Sequence, residues 1–139
     1  MSDAATIVKE FFEAFNNRDW DKMRSMLSSD FTYTGGDGVV QRGPDAGLAV
    51  AQMFATAMPD AKIEVTRMHS AGNVVVAEFT GTGTQTGNFM DVPPTGRKVT
   101  MPVCDVVEVR DGQIVAEREY MDMLHMMRQL GVVEAPATA

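Results

Sequence analysis

Val99-Thr100-Met101-Pro102-Val103-Cys104-Asp105-Val106-Val107-Glu108-Val109, the turn Arg110-Asp111-Gly112-Gln113 and the return run Ile114-Val115-Ala116-Glu117-Arg118-Glu119-Tyr120-Met121 read as a β-hairpin. Alternate residues of the first strand, Val99, Met101, Val103, Val107 and Val109, form an apolar row broken only by Asp105. The other row, Thr100, Pro102, Cys104, Val106 and Glu108, is mixed. A buried, unpaired carboxylate is costly enough that it finds a cation or keeps its proton. Asp105 therefore has a structural partner or sits in a pocket where its proton is used.

The turn decides between these. If Asp111-Gly112 is a two-residue primed turn, Arg118 stands opposite Asp105 and neutralises it. If Arg110, Asp111 and Gly112 form a three-residue loop with Gly112 left-handed in a bulge, Asp105 faces Glu117, and Glu119 lies one diagonal step away. In that register Asp105, Glu117 and Glu119 share a face with Val115 and Met121, and Arg118 points the other way. Acids gathered this closely titrate as a coupled set, with at least one pKa raised toward neutrality. Asp-Gly suits both turns, so both registers stay open.

The period of two begins at residue 61 and predicts strands near 62–69, 73–85, 98–109 and 114–121, mostly one antiparallel sheet. Gly81, Gly83 and Gly87 are expected to bend or bulge the second of these and so curve the sheet around a cavity. Before residue 61 the period is helical. Ile7, Val8, Phe11, Phe12 and Phe15 mark an amphipathic helix, and Asp19 caps a short second one presenting Trp20, Met23 and Leu27. Phe31 to Thr34 is a brief strand and Gly35 to Gly38 a loop. Pro44 starts a third helix that Pro59 stops. Asp122 caps a last helix ending near Gly131, and its parity points it away from Glu119. The expected class is α+β, with helices packed on one face of the sheet.

The 139 residues suit a single domain over 1–132 with a disordered tail over 133–139. The 45% hydrophobic and 22% charged fractions are those of a globular protein, without an apolar run long enough to span a membrane. A formal charge of −7 argues against nucleic acid or an anionic membrane as partner. The N-terminus does not read as a secretory signal, and Cys104 has no second cysteine to pair with, so a cytoplasmic location is expected. His69 and His125 have no carboxylate or second histidine at ligand spacing, so no metal site is expected. Cys104 reads as an inert small residue, and the twelve methionines mostly as core filler. Gly81-Thr82-Gly83-Thr84 is a glycine-containing strand, not a phosphate loop.

The run Asp111-Gly112-Gln113-Ile114 through Arg118-Glu119-Tyr120-Met121-Asp122 to Arg128-Gln129-Leu130-Gly131 resembles the end of the SnoaL-like polyketide cyclases of the nuclear transport factor 2-like superfamily. Ile7-Val8 through Ala14-Phe15-Asn16, and the loop Val92-Pro93-Pro94-Thr95-Gly96-Arg97, are similar to that family too. The resemblance spans about residues 5–132. It implies a cone-shaped α+β barrel, a strongly curved, mostly antiparallel sheet wrapped around the N-terminal helices. It also favours the three-residue loop, because the family directs both key positions into the pocket.

By this resemblance Glu119 falls on the family's acid/base aspartate, Asp105 on a pocket histidine, Tyr33 on a pocket asparagine and Val103 on a pocket glutamine. Limonene epoxide hydrolases resemble the chain at Glu119 and Tyr33, but Phe79-Thr80-Gly81 stands where they carry an Arg-x-Asp. The protonated pocket aspartate of ketosteroid isomerase resembles Asp105. Its base and tyrosine have no counterpart here, since Gly35 and Phe11 or Phe12 occupy those positions.

These readings lead to a cofactor-independent acid/base enzyme acting on a hydrophobic, carbonyl-containing small molecule by cyclisation or isomerisation through an enolate. Glu119 and Asp105 are its expected catalytic residues, and Tyr33, Met101, Val103, Glu117 and Met121 its substrate-binding ones. Competing readings are a non-catalytic small-molecule-binding protein, an epoxide hydrolase-like enzyme, and an assembly domain with a filled interior and an Asp105–Arg118 pair. A homodimer is expected through the outer sheet face of Val106, Ile114, Ala116 and Tyr120.

Overall fold

The computed structural model describes residues 3–134. Helix α1 (Ala4–Asn16) is capped by the Asp3 side chain on the Thr6 N–H, and α2 (Trp20–Met26) by Asp19 on that of Lys22. Strands β1 (Leu27–Thr34) and β2 (Val40–Arg42) precede α3 (Pro44–Ala57), which carries proline in its first turn. Four long strands follow, β3 (Lys62–Ala71), β4 (Val74–Thr84), β5 (Lys98–Arg110) and β6 (Gln113–Met121). The described chain ends with α4 (Met123–Gln129), capped by Asp122 on the His125 N–H. These spans match the expected ones closely. The exceptions are β1, which begins earlier than Phe31, and β2, which was not anticipated. The expected disordered tail lies, from residue 135 on, outside the described residues.

The six strands form one open, mixed sheet in the order β2-β1-β6-β5-β4-β3, antiparallel except where β1 runs parallel to β6. The class is α+β, with the sheet strongly curved. Register shifts fall between Val65 and Arg67 of β3, between Leu27 and Thr32 of β1, and beside Val115 of β6. Each extra residue on one strand adds twist and bend. The concave face holds the α1 stripe of Ile7, Val8, Phe11, Phe12 and Phe15, all buried, with the Phe12 ring 5.2 Å from that of Phe79. Each such side chain contributes about 1.5–3 kcal/mol on burial.

The glycines expected to bend β4 do something else, and Gly87 lies beyond the end of that strand. The bulge lies on β3, and pairing between β4 and β5 is regular from Val74 to Thr84. Gly83 and Gly87 instead let the end of α3 approach. A Cβ on Gly83 would meet Met58 at 2.8 Å, and one on Gly87 would run into the Thr56 carbonyl oxygen. The Gly87 N–H also donates to the Ala57 carbonyl at 3.0 Å. Gly87→Ala is therefore predicted to destabilise by about 1–3 kcal/mol, read as a lower urea midpoint with an unchanged slope.

Polar side chains tie the mouth of the cone. Asn16 bonds both the N–H and the carbonyl of Ile63 at 2.8 Å, and Arg18 donates to the carbonyls of Phe15, Pro59 and Ala61. Gln85, fully buried, donates to the carbonyls of Val92 and Pro93 and accepts from Thr95, which fixes the loop between β4 and β5. His69 lies 3.6 Å from Glu78 across the strand pair, a surface carboxylate contact that sequence spacing did not anticipate.

Candidate active site

Asp111 and Gly112 both have positive φ, 53° and 78°, and Arg110 pairs with Gln113. This is the two-residue primed turn. It does not put Arg118 opposite Asp105, because the register slips by one residue a step later. Val109 pairs with Ile114 but Glu108 with Ala116, which leaves Val115 as the extra residue of a bulge. From there Val107 faces Glu117 and Asp105 faces Glu119 directly. Both anticipated registers are thus corrected: the turn is the short one, the face is the acidic one, and a bulge in β6 reconciles them. The slip also turns Ile114 inward, where it is fully buried, so it is no part of the outer face; of the residues expected there, Tyr120 is exposed and Val106 and Ala116 half-buried.

Arg118 lies on that outer face, paired with Glu108 at 2.5 Å. It gives Asp105 no charge. Asp105 is 1% exposed, and its Oδ1 is buried without a hydrogen-bond partner among the described residues. Tyr33, placed beside Glu117 by the parallel pairing of β1 and β6, donates its hydroxyl to Glu119 Oε1 at 2.9 Å. Three adjacent strands therefore deliver one cluster: Tyr33 from β1, Glu117 and Glu119 from β6, Asp105 from β5.

The electrostatics follow from burial. Burial, then the neighbouring carboxyls of Glu119 and Glu117, hold Asp105 well above the usual carboxylate range. Glu117 is pushed up to about 8, by burial and by Glu119, against a hydrogen bond with Asp105 that pulls it down. Burial also raises Glu119, but hydrogen bonds from Asp105 and Tyr33 favour its ionised form. The Tyr33 hydroxyl is raised, first by burial and then by the Glu119 charge, and keeps its proton. The arrangement sets Glu119, the acid whose hydrogen bonds favour its ionised form, between two donors. Tyr33→Phe removes one of these, so the Glu119 pKa is expected to rise, read as an upward shift in its side-chain carboxyl titration by 13C NMR.

All seven residues expected at the site line one cavity: Tyr33, Met101, Val103, Asp105, Glu117, Glu119 and Met121. Its free volume is about 110 Å³, compared with the roughly 10–15 Å³ that one water needs. The helices supply the wall that strand-based reasoning missed, notably Phe11, Phe12 and Phe15 of α1 and Val50 and Phe54 of α3. The α1 stripe was visible in the sequence as an apolar face. Nothing in its spacing distinguishes a core-filling ring from one bordering a cavity.

An open, curved α+β cone with an acid-floored apolar cavity defines a protein of the nuclear transport factor 2-like class. Within that class, the model of the SnoaL-like polyketide cyclases matches residues 5–130, and the chain belongs to this family. It is 27% identical to the aklanonic acid methyl ester cyclase DnrD of Streptomyces peucetius over 94% of this chain and 92% of that one. It is 29% identical to the nogalonic acid methyl ester cyclase of Streptomyces nogalater over 66% of this chain and 69% of that one. A solved structure described as a SnoaL-like polyketide cyclase, from Jannaschia sp. CCS1, superposes with a TM-score of 0.86 at 23% identity, covering 96% of this chain and 93% of that one. Among the described residues no helix is long and apolar enough to cross a membrane.

Proposed function

We propose that the protein is a cofactor-independent cyclase that closes a ring in a hydrophobic polyketide ester by an intramolecular aldol reaction. The observation that carries this reading is the position of Glu119, cavity-lining and hydrogen-bonded by Tyr33, directly across from a neutral Asp105. Glu119 removes a proton from carbon next to a carbonyl, and the electron pair moves onto the carbonyl oxygen. Once Glu119 is protonated it no longer needs the Asp105 hydrogen bond, and the Asp105 proton is free to turn to the enolate oxygen. The enolate carbon then bonds to a second carbonyl carbon of the same molecule. The alkoxide formed takes the proton from Glu119, which restores the starting state with no net change in protons. Met101, Val103 and Met121 hold the apolar body of the substrate, and Glu117 borders its polar end.

The named relatives, cyclases of aklanonic acid and nogalonic acid methyl esters, point to the substrate class, a carboxylic acid carried as its methyl ester. The epoxide hydrolase reading finds less support, because Phe79 and Gly81 line the cavity without the carboxylate or guanidinium that epoxide opening would use. The test is incubation with aklanonic acid and nogalonic acid methyl esters, followed by chromatography and mass spectrometry. A new product of unchanged mass is expected, since aldol closure is an isomerisation. Persistence of both esters under conditions in which the named relatives convert them would remove this substrate class.

A further inference from the structure

The cavity is unbalanced in hydrogen-bonding capacity. Its floor holds the carboxyl groups of Asp105, Glu117 and Glu119, each with two acceptor oxygens. Donors facing those six oxygens are fewer: the protons that Asp105 and Glu117 retain, and the Tyr33 hydroxyl. The Tyr33 hydroxyl is already committed to Glu119 Oε1, and Arg118 is turned away to Glu108. Lys62 is the one cation among the described lining residues and lies exposed at the start of β3. Asp105 Oδ1 marks the shortfall most clearly, being buried, unpartnered and part of a residue that lines the cavity. The same three carboxyls do not converge as a metal-ligand set. The wall opposite is built from the phenylalanine rings of α1, α3 and β4.

We propose that this cavity binds a hydrophobic organic cation, a protonated amine whose N–H groups bond the Glu119 carboxylate and Asp105 Oδ1 while its apolar body lies among Phe11, Phe12, Phe54 and Phe79. An ammonium group brings only donors, of which the floor has fewer than acceptors. Its charge complements the Glu119 carboxyl, whose hydrogen bonds favour the ionised form, and the aromatic faces attract the same cation. A neutral alcohol of equal shape supplies one donor and no charge, and an anion meets carboxylates at close range. The property is distinct from ring closure and holds whether or not a polyketide ester is turned over. An amine in this position occupies the space of such a substrate and competes with it.

The titratable groups facing the site are Tyr33 from β1, Asp105 from β5, Glu117 and Glu119 from β6, and Lys62 at the rim from β3; the helices contribute only uncharged residues. As pH rises through about 8, Glu117 loses its proton and adds a second negative charge to the floor. Amine affinity is expected to rise across that range and to fall again only where the amine itself deprotonates, near about 10.

The experiment compares 2-phenylethylamine with its neutral isostere 2-phenylethanol on the intact protein at neutral pH, by calorimetry and by the methyl NMR signals of Met101 and Met121. The amine is expected to bind at least about tenfold more tightly and to move both methyl signals, and Glu119→Gln to cost it at least about tenfold without weakening the alcohol. Equal or tighter binding of the alcohol overturns the proposal, as does binding of neither compound below about 10 mM. Unchanged amine affinity in a folded Glu119→Gln protein overturns it as well. If that variant fails to fold, the comparison of amine with alcohol on the unaltered protein decides alone. Ester turnover is measured separately, so the failure of either reading is distinguishable from that of the other.

Discussion

Glu119→Gln is expected to lower kcat/KM for a cyclised ester by about 10²–10⁴-fold, with most of the loss in kcat. Glutamine keeps the length and nearly the shape of the side chain and can still accept the Tyr33 hydroxyl, so substrate binding survives while the proton acceptor is gone. Glu119→Asp is the informative companion. It keeps the carboxylate but draws it back from the cavity, and intermediate activity is expected. Tyr33 grips the present length at 2.9 Å, so the shorter arm loses that donor or the reach to carbon. Single-turnover measurements separate the chemical step from binding. Full activity in Glu119→Gln would remove the residue from the mechanism, and equal losses in Glu119→Gln and Glu119→Asp would assign it to positioning rather than proton transfer.

Much of this site was legible in the sequence because it lies on strands, where a period of two sorts side chains onto faces without ambiguity. The break at Asp105 in an apolar row identified the inner face, and the seven residues expected at the site line the cavity, whereas Val115, expected on the same face, is the extra residue of the bulge. The exact pairing was not legible. Asp111-Gly112 encodes its turn locally, but the bulge at Val115 depends on β6 pairing antiparallel with β5 on one side and parallel with β1 on the other. Ile114, Val115 and Ala116 carry no local signal for it. For the same reason Ile114 was placed on the wrong face: parity counted from Glu119 fails across an extra residue. The close approach that requires Gly83 and Gly87 was equally hidden, since it is made by the far end of α3. The family resemblance reached the right face through an incorrect turn, because it records where side chains end up rather than how the strands arrive there.

The unfolding stability of the protein is expected to fall as pH rises from about 4.5 to about 8, the reverse of the usual behaviour of acidic proteins. Asp105, Glu117 and Glu119 all have folded-state pKa values raised above their ordinary ones. Between the ordinary and the raised values the folded protein holds more protons than the unfolded chain, so each step upward in pH favours unfolding. For Glu117 the window runs from 4.5 to about 8, and at about 1.4 kcal/mol per pH unit the loss is of order 4–5 kcal/mol. That is a large part of the roughly 5–15 kcal/mol that holds a domain folded. Asp60, lowered by its hydrogen bonds from Thr84, acts in the opposite sense, but only as pH falls toward and below its ordinary value of 3.8. Glu117→Gln removes the titrating group while keeping its volume, and should raise the urea midpoint at pH 8 with little effect at pH 5, flattening the profile. A wild-type midpoint that holds level or climbs between these values would mean that the acids are not buried together as described. The expected slope also explains why such a cluster belongs to a site rather than to the core. A protein under selection for stability alone would place leucine or methionine at these positions, and the stability lost by keeping three acids on an apolar floor is retained where proton transfer or cation binding requires it.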